Sequence, residues 1–469
     1  MIFSSLTFLL FFGGLLLSLA VISGARSRQL VLLGASYLFY GAWDPRFCLL
    51  ILASSLWSWG FGLALNQTTE LKYRRLLLVL SLFADLGLLM YFKYANFFLD
   101  SFYALWGIEH SRLLDITLPV GISFFTFQTM SYTIDLYRRR IPVCRDLVKF
   151  TLFVAFFPQL VAGPIVRAAE FLPQLERPVR LRSEDMVKGI QIFLLGMFQK
   201  VLVADNLSFF VDPVFAEPSL YNTLTLWSAL AAYSLQIFCD FSGYSLMAIG
   251  VARVMGFELP ENFRTPYLSK SITEFWRRWH ISLSTWLRDY LYISLGGSRN
   301  GRIRTDVNLM ITMVLGGLWH GAGWNFVLWG TFHGMGLIVH KHWRQRRIIR
   351  NKSSVSDSFY GGLGWVTTLL FACLLWVPFR CADFPTTLEF LHGLFSIQEG
   401  IEWLHQPSLL LMGAMVFWHA LHAMKSDMLN WLPAPQLNGF RPLLAVGIGT
   451  LALLLFAPLE ATPFIYFQF

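Results

Sequence analysis

Charged residues are scarce in this sequence. They make up 14% of its 469 residues, and 55% of the residues are hydrophobic, whereas a soluble protein carries about 25% charged residues. The five cysteines show no Cys-x-x-Cys or Cys/His spacing, so neither a zinc site nor a disulfide framework is indicated. The scattered histidines suggest no metal site either. No nucleic-acid-binding motif accompanies the net charge of +9, so nucleic acid is not an expected partner.

Long apolar runs take the place of charge, among them 1–22, 47–65, 76–91 and 443–455. Segments of about 17 to 25 apolar residues cross a bilayer as helices, and such segments number roughly a dozen here. The sequence therefore predicts an all-α, polytopic membrane protein, with one integral-membrane domain over residues 1–469. No basic segment precedes the first run and no clear Ala-x-Ala site follows it, so we interpret it as a retained span.

The basic residues predict the topology. They cluster at 26–28, 72–75, 138–140, 167–188 and 341–347, and loops rich in Lys and Arg face the cytoplasm. The segments 96–115, 209–222 and 381–405 are then expected on the outer side. Pro and Gly interrupt the apolar segment 156–164, which predicts a re-entrant element, because broken backbone at membrane depth needs protein or a water-filled cavity around it.

Polar side chains within the apolar runs are candidate functional groups. Gln236 and Asp240 share one face of a predicted helix over 224–256. A carboxylate inside the membrane is costly, so we expect Asp240 to face the protein interior. Two roles stay open for it: a structural hydrogen-bond partner, or a residue that positions a catalytic group.

Trp, Arg and His concentrate in the stretch 261–333, which we take as the candidate active-site stretch. Ser271 and Glu274 form a capping-box pattern, which predicts a helix that starts near Ile272. Apolar residues recur at three- and four-residue spacing as far as Tyr290, so this helix is expected to be amphipathic. His280 lies at the edge of its apolar face, and a structural and a functional role are equally open for this histidine.

A glycine-rich run near the end of this stretch, 316–323, contains His320. Basic residues flank both ends of the hairpin that it interrupts, so the chain should enter from the cytoplasm, turn at the glycines and return. We expect the glycines to leave His320 open to a cavity. An imidazole titrates near neutrality, which suits a general base.

These segments resemble the membrane-bound O-acyltransferase (MBOAT) family, in particular its bacterial alginate O-acetylation branch. The resemblance implies an MBOAT-like bundle of transmembrane and re-entrant helices around a central tunnel. It matches His320 to the family's catalytic histidine and His280 to a second polar-site residue. Leu246 departs from the pattern, which has an acid there. The resemblance rests on the segments 91–98, 240–244, 261–263, 271–297, 315–322 and 464–469.

The resemblance also implies a function: an O-acetyltransferase of the bacterial inner membrane that passes acetyl groups across it for O-acetylation of an exopolysaccharide. Alginate, cellulose and peptidoglycan systems all fit. The expected donor is acetyl-CoA on the cytoplasmic side, with no bound cofactor. The expected substrate-binding residues are Trp276, Trp279, Trp319 and Asp240. The expected partners are a periplasmic SGNH-hydrolase-like acetyltransferase, an exopolysaccharide biosynthesis complex and the lipid bilayer.

Two alternatives from other classes remain. Broken helices and buried ionisable residues also mark the substrate paths of transporters, although the two halves of this sequence show no self-similarity. A structural subunit of a polysaccharide secretion complex would need no reactive histidine.

Overall fold

The computed structural model describes residues 1–108, 114–161, 163–349 and 357–423. Apart from an isolated bridge between Tyr221 and Ile401, these residues contain no β-structure, so the all-α prediction is confirmed. The helices are α1 (Leu6–Val21), α2 (Ala25–Gly41), α3 (Arg46–Gln67), α4 (Leu71–Leu89), α5 (Ala95–Trp106), α6 (Ile122–Tyr137), α7 (Leu147–Ala155), α8 (Phe157–Leu160), α9 (Ala168–Leu175), α10 (Ser183–Met197), α11 (Asp205–Ala216), α12 (Thr223–Val254), α13 (Ile272–Arg278), α14 (Ile281–Trp286), α15 (Gly301–His320), α16 (Trp324–Ile349), α17 (Asp357–Arg380), α18 (Phe384–Phe395) and α19 (Gln406–Ala423).

Several helical segments in the described part of the chain are long and apolar enough to cross a membrane. There are five: Arg46–Gln67, Leu71–Trp106, Ser183–Ala216, Thr223–Val254 and Gly361–Arg380. Shorter apolar helices occur at Leu6–Val21, where a first span is predicted, and at Gln406–Leu421. These helices agree with a multi-pass membrane protein. The predicted span at 443–455 and the segment 464–469 lie outside the described residues.

Burial separates the inner spans from the peripheral ones. In the most apolar part of α12, 94% of the residues are buried by protein, against 17% in Leu71–Trp106. A helix that is apolar on all sides and also enclosed by protein belongs to the core. The predicted helix over 224–256 is therefore confirmed, and it is an interior helix.

The described residues form two compact units. One lies within Met1–Phe193 and Ser245–Pro260, and the other within Leu194–Tyr244 and the described residues from Glu261 onward. The single domain over 1–469 stays a prediction.

The first unit contains the predicted interruption of the apolar segment 156–164. α7 ends at Ala155, and α8 starts after Phe156, whose backbone is not helical. The whole of α8 is buried. The backbone N–H of Phe157 donates to Ser36 Oγ over 3.2 Å, so a side chain accepts the hydrogen bond that the break would otherwise leave unmade. The predicted break is confirmed, and its surroundings are protein.

The second unit contains the predicted hairpin, formed by α15 and α16. Their contact depends on glycine, because a Cβ at Gly317 would lie 2.2 Å from the carbonyl oxygen of Phe326. A Cβ at Gly330 would lie 2.3 Å from the carbonyl oxygen of Met313. Neither distance is sterically allowed, so these glycines let the two backbones touch. His320 is the last residue of α15, at the predicted turn.

The predicted amphipathic helix from Ile272 to Tyr290 is wrong in its continuity. The start is correct, because Ser271 Oγ accepts from the N–H of Glu274 over 3.2 Å. The helix then breaks after Arg278, and a second helix starts at Ile281. His280 lies in the break with φ +43°, a left-handed conformation. Such a conformation is strained for a residue with a side chain, and strained residues cluster at functional sites.

Candidate active site

The break between α13 and α14 places His280 beside Asn262. The Nδ1 atom of His280 lies 3.0 Å from Asn262 Oδ1. The same oxygen accepts from the backbone N–H of Ser282 over 3.2 Å and from its hydroxyl over 3.0 Å. The backbone N of Ile281 donates to the carbonyl oxygen of Asn262 over 2.9 Å. Asn262 thus holds the start of α14 with both its backbone and its side chain.

This arrangement fixes the tautomer of His280. A backbone N–H is always a donor, so the Asn262 atom that faces Ser282 N must be the acceptor oxygen. His280 Nδ1 must then carry the proton and donate it to that oxygen. The lone pair is left on Nε2, which is buried and has no hydrogen-bond partner among the described residues. Burial lowers the pKa of His280 to about 3, so the ring is neutral at neutral pH.

His320 lies next to His280 in a wall of aromatic rings. The centres of the two imidazoles are 6.3 Å apart. The Trp329 and Phe379 rings lie 5.0 and 5.4 Å from that of His320. The side chain is 2% exposed. The two histidines that the sequence singled out are therefore neighbours in a buried site.

The expectation that glycines leave His320 open to a cavity is wrong. A Cβ at Gly321 would lie 2.0 Å from the Phe326 ring, so this ring occupies the space that the missing side chain leaves. The carbonyl of Phe326 also fills the space beside Gly317. The glycines serve close packing of the turn, which is the alternative use of small residues in membrane helices.

The three predicted tryptophans belong to the same aromatic cluster. Trp319 is 5.8 Å from the His280 ring and 5.1 Å from the His320 ring. Trp279 packs on Phe275 and Trp376, at 5.6 and 4.8 Å. The structure thus brings these tryptophans into one aromatic cluster, and their role in substrate binding stays a prediction.

Trp276 is one step further from the two histidines. Its ring lies 5.7 Å from Trp329 and 5.1 Å from His333. Trp329 contacts both His320 and His333, the latter at 4.5 Å. His333 is fully buried, and neither of its ring nitrogens has a hydrogen-bond partner among the described residues.

Sequence reasoning gave no role to Asn262, Trp329 or His333. His333 and Trp329 share one face of α16, four residues apart, and this spacing could have linked them. Nothing in the sequence pairs Asn262 with His280, because 18 residues separate them and a non-helical segment lies between.

Asp240 lies in a buried ion cluster on α12. Its Oδ1 is 2.6 Å from Lys200 Nζ, which is also 2.7 Å from Asp205 Oδ1. All three side chains are at most 6% exposed. The next residue, Phe241, has its ring 4.6 Å from that of His280. Asp240 therefore anchors the part of α12 that contacts His280, and its roles in positioning a catalytic group and in substrate binding stay predictions.

The site combines an imidazole nitrogen that can accept a proton with surrounding aromatic side chains that exclude water. Among the described residues, no group of three or more His, Cys, Asp or Glu side chains could hold a metal ion. The titratable groups of the site are imidazoles, and one of them presents a neutral acceptor. Aromatic walls exclude water, which protects a reactive ester or thioester from hydrolysis. The arrangement is suited to proton transfer in a group-transfer reaction.

Comparison with known proteins agrees with this chemistry. The family model described as MBOAT, membrane-bound O-acyltransferase family, matches residues 139–381. The chain is 42% identical over 405 residues to "Probable alginate O-acetylase AlgI" of Pseudomonas putida, and this match covers 85% of this chain and 81% of that protein. The chain is 36% identical over 407 residues to "Peptidoglycan O-acetyltransferase" of Helicobacter pylori, and this match covers 80% of this chain and 75% of that protein. It is 31% identical over 249 residues to "Teichoic acid D-alanyltransferase" of Streptococcus thermophilus, a match that covers 50% of this chain and 59% of that protein.

Proposed function

This chain belongs to the membrane-bound O-acyltransferase family, and we propose that it moves acetyl groups from cytoplasmic acetyl-CoA across the bacterial inner membrane for O-acetylation of an exopolysaccharide. The family and the names of its relatives make it an acyltransferase. The relatives act on different envelope polymers by their names, so we propose the polymer class named for a relative at 42% identity, alginate or a similar exopolysaccharide.

The observation that carries the proposal is the pair of buried imidazoles. The ring centres of His280 and His320 lie 6.3 Å apart, so one bound substrate pair can reach both imidazoles through hydrogen bonds of about 2.6–3.2 Å. The acceptor hydroxyl has a single proton, and it donates that proton to His320. The neutral Nε2 of His280, which can only accept, suits a hydrogen bond from an amide N–H of the acetyl donor.

The proposed reaction is thioester-to-ester transfer. His320 takes the proton from the hydroxyl as its oxygen attacks the carbonyl carbon of acetyl-CoA. The C–S bond breaks, and His320 returns the proton to the leaving thiolate, so the products are an O-acetyl ester and coenzyme A. His280 orients the acetyl donor, and the surrounding rings of Trp276, Trp279 and Trp319 keep water from the thioester.

The proposed acceptor is a periplasmic SGNH-hydrolase-like acetyltransferase, which would pass the acetyl group to the sugar. Two segments that the topology prediction puts outside pack on each other: Asn222 N donates to the carbonyl of Ile401 over 3.1 Å. Apolar side chains project from this surface, with Ile397 fully exposed and Phe395 70% exposed. Exposed apolar side chains that cluster are typical of a docking surface for another protein.

Acetyl transfer by the purified protein in proteoliposomes tests this function. Label from acetyl-CoA should reach a hydroxyl acceptor in the presence of the wild-type protein. A transporter would instead move the intact labelled molecule across the bilayer, and a structural subunit would do neither.

Deletion of the partner gene tests the relay. Turnover of acetyl-CoA in membranes should stop together with acetylation of the polymer, because the acceptor is missing, and adding back the partner should restore both. If the protein alone acetylates the finished polysaccharide efficiently in liposomes, the relay is wrong and the sugar itself enters the site.

A further inference from the structure

Three arginines follow one another closely in the segment between α9 and α10. They are Arg177, Arg180 and Arg182, and all three are exposed. Residues 178–182 are not helical. The segment lies in a loop that the excess of basic residues assigns to the cytoplasmic face. All three arginines line one cavity.

Specific contacts in the first unit hold this segment in place. A Cβ at Gly256, where φ is +85°, would lie 2.9 Å from the carbonyl oxygen of Arg180, so glycine is required for the approach of the two backbones. The Gln174 amide pairs with the backbone of Glu258 in both directions, donating over 3.0 Å and accepting over 2.8 Å. The segment 255–258 and the end of α9 thus form a fixed floor.

A cavity of about 630 Å³ lies between these elements, which is a typical volume for a small-molecule site. Its lining contains the three arginines and also apolar groups such as Pro173, Pro178 and Val179. A ligand that fits this lining has an anionic part and an apolar part.

The carboxylates that line the cavity do not form ion pairs with Arg177, Arg180 or Arg182, so these arginines can bind an anionic ligand. The cavity is lined by four arginines and three carboxylates. Two of the carboxylates, Asp185 and Glu258, pair with the fourth arginine, Arg253. Arg177, Arg180 and Arg182 form no ion pair with any described residue. Guanidinium groups bind phosphate through paired, charge-assisted hydrogen bonds.

We propose that this cavity is a binding site for a small phosphorylated ligand with an apolar or aromatic part, of the type of a nucleotide bisphosphate. The inference that the ligand carries phosphate rests only on the arginines and the cavity. That the ligand is the nucleotide end of the acetyl donor rests on the proposed function.

Equilibrium binding of desulfo-coenzyme A to the full-length protein in nanodiscs tests the site without acetyl transfer. The pocket variant is Arg177→Gln/Arg180→Gln/Arg182→Gln. The matched control is Arg302→Gln/Arg304→Gln/Arg344→Gln, which removes the same charge from exposed positions on the same predicted face. Loss of a charge-assisted hydrogen bond weakens binding by about 10- to 100-fold. The pocket variant should show at least this loss, and the control variant should bind as the wild type does.

Two further comparisons separate the sources of phosphate. His320→Ala should bind the probe normally, so a failure of the catalytic proposal leaves this result unaffected. If nanodiscs of phosphatidylglycerol compete with the probe at the pocket but those of phosphatidylcholine do not, the phosphate comes from a lipid headgroup. Equal affinity of the wild type and the pocket variant for both the probe and phosphatidylglycerol would overturn the site, as would an equal loss in the control variant.

Discussion

Replacing Asn262 with leucine removes the acceptor that fixes the His280 tautomer and keeps a side chain of similar size. Asn262 Oδ1 accepts from His280 Nδ1 over 3.0 Å. Loss of one buried partner costs about 1–3 kcal/mol, so the form of His280 with a lone pair on Nε2 should become about 5- to 150-fold less favoured. We expect kcat for acetyl transfer to fall by the same factor. The assay is turnover of labelled acetyl-CoA by the purified protein in proteoliposomes.

Ser282→Ala is the matched control for Asn262→Leu. It removes the hydroxyl that donates to the same oxygen but leaves the contact of that oxygen with His280, so turnover should stay near the wild-type rate. If Asn262→Leu purifies as folded protein and also turns over at the wild-type rate, the tautomer of His280 has no part in the reaction.

Asn262→Asp separates positioning from general structural damage. The variant keeps the acceptor and adds a negative charge beside the ring, so it should raise the pKa of His280 from about 3. Activity that needs neutral His280 is present above this pKa and lost as pH falls through it. The acid limb of the kcat profile should therefore move to higher pH in Asn262→Asp, which a purely structural role would not cause.

Three further predictions concern stability and topology. Lys200→Met leaves two buried carboxylates without their shared cation, and should lower the free energy of unfolding by about 3–5 kcal/mol, measured by thermal unfolding in detergent. Gly330→Ala puts a Cβ 2.3 Å from a carbonyl of the facing helix and should destabilise by about 1–3 kcal/mol, while Gly362→Ala, with no atom within 4 Å, should not. In intact cells, a membrane-impermeant thiol reagent should label a cysteine at Ile397 but not one at Lys341; the reverse pattern would invert the proposed topology.

Local patterns predicted those parts of the fold that depend on neighbours in sequence. The Ser271 cap, the turn at His320 and the break at Phe156 each depend on residues within a few positions. The apolar character of most of α12 likewise predicted its length, because a long apolar run can be recognised without knowledge of its packing partners.

Other features depend on contacts between distant residues, which one sequence does not reveal. Apolar periodicity continues on both sides of His280, so it concealed the break that a left-handed residue makes. Asp240 was recognised as buried, but its cation lies 40 residues earlier, in the π-helical turn Phe198–Ala204. The glycines around His320 were correctly identified as a turn, but the Phe326 ring that fills their space could not be foreseen.

The rate of acetyl transfer by His320→Ala, measured beside His392→Ala, tests the central claim most directly. His392 is an exposed histidine at the end of α18, so its replacement removes an imidazole without touching the site. Loss of a general base lowers the rate by about 100- to 10,000-fold. We expect that loss for His320→Ala and none for His392→Ala, with both proteins inserting and purifying normally. Turnover of His320→Ala near the wild-type rate would contradict the assignment of His320 as the base.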